Sequence, residues 1–440
     1  MLRLFMKIKK RLSFSALIEA FSTKIENISD NREKSKVKYS MHNVLMSAFA
    51  MMFFQNSSLL EFQRKMETSY HMNNLKSLFN VDAIPKDNQI RNVLDEMDSS
   101  EIEPIFNEYF YLLQRGKYLD KYRFLNNSYL ISIDGSEYFG SDKICCTGCL
   151  KKEDKKGNVS YSHQIMQAVL MHPDMKQIIP LIPEEIRNTD GDKKQDCEIS
   201  AGKRLITNIR KAHPKLKMII VADSLHSKQP FMEHAKAQGM SYILTAKEGD
   251  HKLLIEWINE QRLLNEVTRL EVKDSKGRTH VYEWINKVPL NGNKKTILVN
   301  YFEYWIMDKG KKTYHNSWVT DIEIDKDNIR DMVRGGRSRW KIENETFNTL
   351  KNHGYHIEHN FGHGKKHLSM NFFLLNLLAF FIHQILELSD ELYQQCRKTY
   401  GSKRNLWEYL RILNSTIIFN DWETFLSYLI KPPPIYVNSI

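Results

Sequence analysis

With 440 residues the chain has room for two or three domains and a large buried core, and 42% hydrophobic against 27% charged residues exclude a disordered polypeptide. A surplus of 64 Lys and Arg over 53 Asp and Glu, formally +11, favours a polyanionic partner such as nucleic acid. Five cysteines, an odd number in so long a chain, exclude a disulfide scaffold and point to a reducing compartment.

The first residues, Met1 to Arg11, place their charges after a very short apolar stretch, the wrong order for a secretory leader, so a cytoplasmic protein is expected. Residues 1–125 predict helices, with apolar positions recurring at three and four around Val44, Leu45, Phe49, Met52 and Phe53, and again at Ile102, Ile105 and Phe106. Within Pro85 to Arg91, Asp87 is placed to cap a helix start, and Ile90 and Leu94 lie one turn apart. That unit suits contact with DNA and equally an ordinary packed helix with a solvated face.

From residue 126 the period changes. Tyr129–Ile133, Gln164–Met171 and Ile178–Leu181 predict strands, followed by a helix through Ile199, Leu205, Ile206 and Ile209 that starts after Asp196-Cys197-Glu198 and ends near Pro214. A strand over Met218–Ala222, a helix over Pro230–Ala237 stopped by Gly239, and a strand over Tyr242–Thr245 complete a mixed sheet flanked by helices. Residues 250–325 interrupt this alternation with β segments at Thr268–Val272, Thr279–Glu283, Thr296–Tyr301 and Tyr304–Met307. Helix signals return over Ile329–Val333 and from Ser338, and the tail is helical until Lys431-Pro432-Pro433-Pro434-Ile435. The long apolar run Phe372–Leu388 is broken by Asn376, His383 and Gln384 and falls short of the ~20 clean residues of a membrane span, so a buried helix and no membrane partner are expected.

Three acids stand out. Asp134 and Asp223 each end an apolar strand, where open α/β sheets place their chemistry. Glu343 lies in the basic, helical stretch Arg337-Ser338-Arg339-Trp340-Lys341-Ile342-Glu343, with Arg339, Phe347 and Lys351 on its own face. Hard divalent ions need such oxygen ligands, and two of them side by side serve in-line phosphoryl transfer. An aspartate after a strand serves equally as a turn or cap residue, and Arg339 and Glu343 equally form a plain ion pair. Glu345 competes for the third place, but at about 100° per residue it points roughly 160° away from the Arg339 face.

The order of Ile133-Asp134-Gly135, Val221-Ala222-Asp223-Ser224, a β-rich insertion and Arg339-Trp340-Lys341-Ile342-Glu343-Asn344 resembles insertion-sequence transposases of the DDE type, within them the IS-four-like group. Gly336 stands where that group's signature helix carries tyrosine, and Lys351 lies one residue beyond its lysine. The resemblance covers roughly residues 126–385. It implies an α/β, RNase H-like core over 126–249 and 326–390, split by a β-insertion over 250–325, with a helical DNA-binding region over 1–125 and a helical tail over 391–440. It also implies Asp134, Asp223 and Glu343 as ligands of two Mg2+ or Mn2+ ions, cleavage of donor DNA, and joining of its 3′ ends to a target. Element terminal repeats and target DNA are the implied partners, with a homodimer in the synaptic complex and a nucleoid association when bound. A nuclease that cuts without joining, or a DNA-binding descendant without catalysis, are the alternatives.

Arg334, Arg337, Arg339, Lys341 and Lys351 are the candidate DNA contacts, with Arg339 set to steady a phosphate. His353, His356, His359, His363 and His367, beside Lys365 and Lys366, follow no metal-ligand spacing and read as a basic loop able to touch phosphates. Trp340, Phe347 and Tyr355 read as core residues, and Lys151 to Lys156 as a solvated loop. Cys146 and Cys149, with His163 some way on, form a C-x-x-C able to contribute to a structural Zn2+ site. Its fourth ligand is open, with His172 and Cys197 as candidates, and unliganded thiols are the alternative.

Overall fold

The computed structural model describes residues 11–30, 32–66, 68–188 and 197–434. Asp196, Ile435 and all but the last residue of the Met1–Arg11 segment lie outside them. The chain opens with helices α1 (Phe14–Glu26), α2 (Met41–Phe53), α3 (Leu59–Met66), α4 (Ser69–Phe79), α5 (Asp87–Glu96) and α6 (Glu103–Arg115). Ser40 caps α2 by accepting from the Asn43 amide at 3.1 Å. Asp87 does not cap α5: Lys86 holds that position, and Asp87 sits in the first turn paired with Arg91 at 2.9 Å. There it favours the positive end of the helix dipole and adds an i,i+4 pair.

One sheet runs through the rest of the fold. Its strands are β1 (Arg123–Phe124), β2 (Ser128–Ser141), β3 (Leu150–Glu153), β4 (Val159–Met171), β5 (Ile179–Pro180), β6 (Glu184–Ile186), then β7 (Met218–Ala222) and β8 (Ser241–Thr245). Helix α7 (Glu198–Ala212) precedes β7, and α8 (Gln229–Ala237) joins β7 to β8. β2 pairs antiparallel with β4, whose far edge takes β3, β6 and β5 in succession, while β7 and β8 run parallel beyond β2. A short antiparallel strand group followed by two strands parallel to the first is the arrangement of an RNase H-like core. β7 reads Met-Ile-Ile-Val-Ala and is buried throughout, as a parallel strand covered on both faces must be.

The β-rich segment extends this same sheet. After helix α9 (Lys252–Leu263) come β9 (Thr268–Lys273), β10 (Thr279–Pro289), β11 (Leu298–Asp308) and β12 (Lys311–Thr320), and β12 returns to pair antiparallel with β8. The two segments read separately over Thr296–Tyr301 and Tyr304–Met307 are one strand, β11.

Helix α10 (Ile329–Arg337) follows, then a π-helical turn over Ile342–Phe347, α11 (Asn348–Asn352), α12 (Leu368–Ser389), α13 (Glu391–Tyr400), α14 (Lys403–Thr416) and α15 (Trp422–Ile430). Helix α12 is long and apolar enough to span a membrane but lies almost wholly inside the fold. Its polar interruptions bind other segments. Asn376 donates to the Tyr355 carbonyl at 2.6 Å, His383 Nδ1 meets the Tyr355 hydroxyl at 2.5 Å, and Gln384 accepts from the Ile178 amide at 3.3 Å.

Candidate active site

Asp134 is not at a strand end. β2 continues seven residues past it, and β7 is the strand that stops there. The parallel register sets Ser132 beside Val221, and carried two residues on it sets Asp134 beside Asp223. The two carboxylates therefore share the level at which β7 opens into a loop while β2 provides a rigid wall.

The third acid arrives by close packing. Ile329, Met332, Val333 and Gly336 form the buried face of α10. A Cβ on Gly335 would lie 3.1 Å from the Phe124 ring, and one on Gly336 would lie 2.6 Å from Trp318 Nε1. Two adjacent glycines thus let α10 lie against β1, β8 and β12, which brings the following turn onto β2. Arg339 then reaches Asp134 at 3.4 Å and Glu343 at 2.6 Å. Glu343 sits in a π-helical turn, a local i→i+5 winding common at functional sites, so the spacing of about 100° per residue does not hold through it. Glu343 nonetheless faces Arg339 and Asp134, whereas Glu345 lies in the field of Lys341.

Burial pushes the Asp134 carboxyl up to about 6; Arg339 opposes this, and the charges of Asp223 and Glu343 add to it. Asp223 stays below the ordinary range although burial raises it, because His226 Nδ1 donates to its Oδ1 at 3.1 Å and the Leu225 amide donates at 3.0 Å. Three carboxylates in mutual repulsion, all oxygen donors, fit hard divalent cations.

Two neighbours of this cluster were not read from the sequence. Glu198, at the start of α7, stands where a Cβ on Gly135 would be, 2.7 Å from its carboxylate. Burial and Asp223 raise the Glu198 carboxyl, with His226 opposing. His226, buried beneath Asp223, is the second. The signal for it was the three-residue spacing from Asp223; Glu198 approaches only through the folded contact at Gly135, which no sequence spacing links to it. An open groove lined by Lys151, Lys152, Tyr161, Glu198 and Leu225 runs beside the acids, so Lys151 and Lys152 lie on β3 at that groove rather than in a loop.

Of the candidate DNA contacts, Arg339 alone is brought to the acids. Arg334 pairs with Asp174 at 2.6 Å, and Arg337 stacks over the rings of Tyr304 and Tyr314. Lys341 is buried and donates to the Met175 carbonyl at 2.6 Å, and Lys351 pairs with Glu358 at 2.7 Å. Trp340, read as core, is 44% exposed next to Arg339. Cys146 and Cys149 meet His163, but the fourth member is His363. His172 instead lies near Asp174, Cys197 is the exposed residue before α7, and His363 leaves the set of phosphate-facing histidines.

Residues 149–381 match the family model described as the transposase DDE domain. No curated protein matches the chain. The matched span begins after Asp134 and includes Asp223, the whole β9–β12 extension and Glu343. Since it covers more than half of the residues, on a sheet of RNase H-like order, the chain belongs to the transposase DDE domain family, the DDE-type insertion-sequence transposases.

Proposed function

We propose that the protein cuts donor DNA at the ends of an insertion element and joins the freed 3′ ends to target DNA, with Asp134, Asp223 and Glu343 as ligands for two Mg2+ or Mn2+ ions. One observation carries the reading: carboxylates from three segments far apart in the chain converge on Arg339, which pairs with Asp134 and Glu343 and whose charge also acts on Asp223. The chemistry such ions supply when bound is activation of a water or a 3′-hydroxyl and stabilisation of the leaving oxygen. The chain's own part is positional. β2 and β7 hold Asp134 and Asp223 at one level, His226 orients the Asp223 carboxylate, and Arg339 is placed to steady a phosphate oxygen. Trp340 offers an exposed ring beside it for stacking on a base. The β9–β12 extension between β8 and α10 supports placement in the IS-four-like group. Helices within 1–125 supply DNA contacts, and two copies hold the two element ends.

The test incubates protein, a DNA fragment carrying the element ends, a target plasmid and Mg2+, and looks for joined products. Joined products are expected, and Asp134→Asn should abolish both cleavage and joining while leaving the thermal transition in place. Cleavage without joining would make the protein a nuclease, and binding with neither a non-catalytic DNA-binding descendant. Strand transfer surviving in Asp134→Asn would sink the triad. DNA affinity should also fall steeply with salt.

A further inference from the structure

Cys146 and Cys149 lie in the connection between β2 and β3, His163 on β4, and His363 in the segment joining α11 to α12. Their ligand atoms all lie within 4.8 Å of one another. Cys146 Sγ and Cys149 Sγ are 3.8 Å apart. His163 Nε2 lies 3.5 Å from Cys146 Sγ and 3.4 Å from Cys149 Sγ, and His363 Nε2 lies 3.3 Å from Cys149 Sγ. The two Nε2 atoms are 3.2 Å apart. With Zn–S of about 2.3 Å and Zn–N of about 2.0–2.1 Å, the edges of a tetrahedron come to about 3.8 Å for S···S, about 3.5 Å for S···N and about 3.3 Å for N···N. Five of the six edges of the cluster therefore have the lengths of a tetrahedral Cys2His2 zinc site.

The surroundings prepare both imidazoles to present Nε2. His363 Nδ1 donates to the Gly364 carbonyl at 2.9 Å, which leaves the Nε2 lone pair facing the thiols. His163 Nδ1 faces Glu185 Oε1 at an ion-pair distance of 3.5 Å, which places a carboxylate on the side of the ring away from the thiols. Glu185 is itself held by Arg187 Nε at 2.7 Å. On the other side, Asp95 of α5 accepts from the amides of Lys365, Lys366, His367 and Leu368 at 2.9–3.2 Å, which fixes the backbone next to His363 without any ion.

We infer that these four residues bind one structural Zn2+. The site is closed, since four protein ligands fill a tetrahedron and leave no position for substrate. The ion ties the β2–β3 connection and β4 to the segment that follows the Glu343 helix. It thereby joins the strands beside Asp134 to the chain beyond Glu343, and its existence does not depend on the catalytic role proposed for either acid.

Full-length protein purified under reducing conditions without chelator should contain one zinc per chain. Co2+ exchanged into it should give the visible bands of a tetrahedral site with thiolate charge transfer. In the same native protein, Cys146 should resist alkylation until a chelator is added, whereas exposed Cys145 should react in both states. Cys149→Ser and His363→Ala should lose the metal, and Cys145→Ser and Asp134→Asn should keep it. Protein that takes up no zinc from added Zn2+, alkylation of Cys146 indifferent to chelator, or zinc lost in Asp134→Asn but kept in His363→Ala would each overturn the assignment.

Discussion

A methyl group on Gly336 would press on Trp318, a fully buried ring that also stacks on Phe302 with centroids 5.2 Å apart. Alanine is favoured over glycine inside a helix by roughly 1 kcal/mol, while overpacking a filled core costs about 1–3 kcal/mol. A contact of 2.6 Å against a ring with no room to move makes the second effect the larger. Gly336→Ala is therefore expected to destabilise the protein by up to about 2 kcal/mol in urea unfolding, and Gly336→Tyr, which restores the residue of the related signature helix, by more. An unchanged or raised midpoint would mean that α10 can lift off the sheet freely. The same position shows what was legible at this scale. The Arg339–Glu343 pair follows from local spacing, so the sequence revealed it. The reason for glycine at 336 lies in Trp318, on a strand with no sequence signal linking the two.

His213 ends α7, its ring packed on Phe110 at 4.2 Å between centroids. Burial pushes its pKa down to about 4, and Arg210 adds to the effect. An unfolded histidine titrates near 6.5, so between that pH and about 4 the unfolded chain takes a proton that the native chain refuses. The stability from this group is present above about 6.5 and is lost as pH falls towards 4, by up to about 3 kcal/mol. His213→Phe should flatten the fall of the urea midpoint between pH 6.5 and 4.5 relative to the parent; an equally steep fall in the variant would place the sensitivity elsewhere. Helix α7 and strand β7 were readable because their patterns are local: a buried face at Leu205, Ile206 and Ile209, and an unbroken apolar run. β3 and β6 were not read because edge strands of three or four residues carry too little periodicity. β11 was read as two pieces because Glu303 interrupts its apolar run. That acid is buried yet satisfied by Arg262 and His315 from neighbouring elements. α9 buries Leu254 and Ile258 but exposes Leu253 and Leu263, so its apolar pattern does not mark one face.

At the scale of the whole molecule, sequence order hides which parts belong together. His363 joins the Cys146, Cys149 and His163 cluster from 200 residues beyond His163, a separation no spacing motif encodes. The helices before residue 125 and after 390 likewise read as separate ends, yet they pack as one layer. Phe14 stacks on Trp422 at 4.6 Å, Phe53 meets Trp407 and Trp422 at 5.5 Å each, and Asn74 donates to the carbonyls of Asn414 and Ile417 at 2.9 and 2.7 Å. Removing a buried tryptophan side chain costs about 3–5 kcal/mol, and a typical domain holds only about 5–15 kcal/mol in all. Loss of both Trp407 and Trp422, with two orphaned donors on Asn74, is then enough to unfold the layer. A chain ending at Ser389 should be aggregated or show a collapsed near-ultraviolet circular dichroism signal, and should lose DNA binding even though residues 11–125 are intact. Trp422→Ala, in the full chain, should lower stability by about 3–5 kcal/mol without unfolding it. A soluble truncated chain with native near-ultraviolet signal and parent DNA affinity would show instead that the N-terminal helices stand alone. The outcome bears on mechanism, because α12 runs between this layer and β5, so a fault in the helices would reach the sheet that carries Asp134 and Asp223.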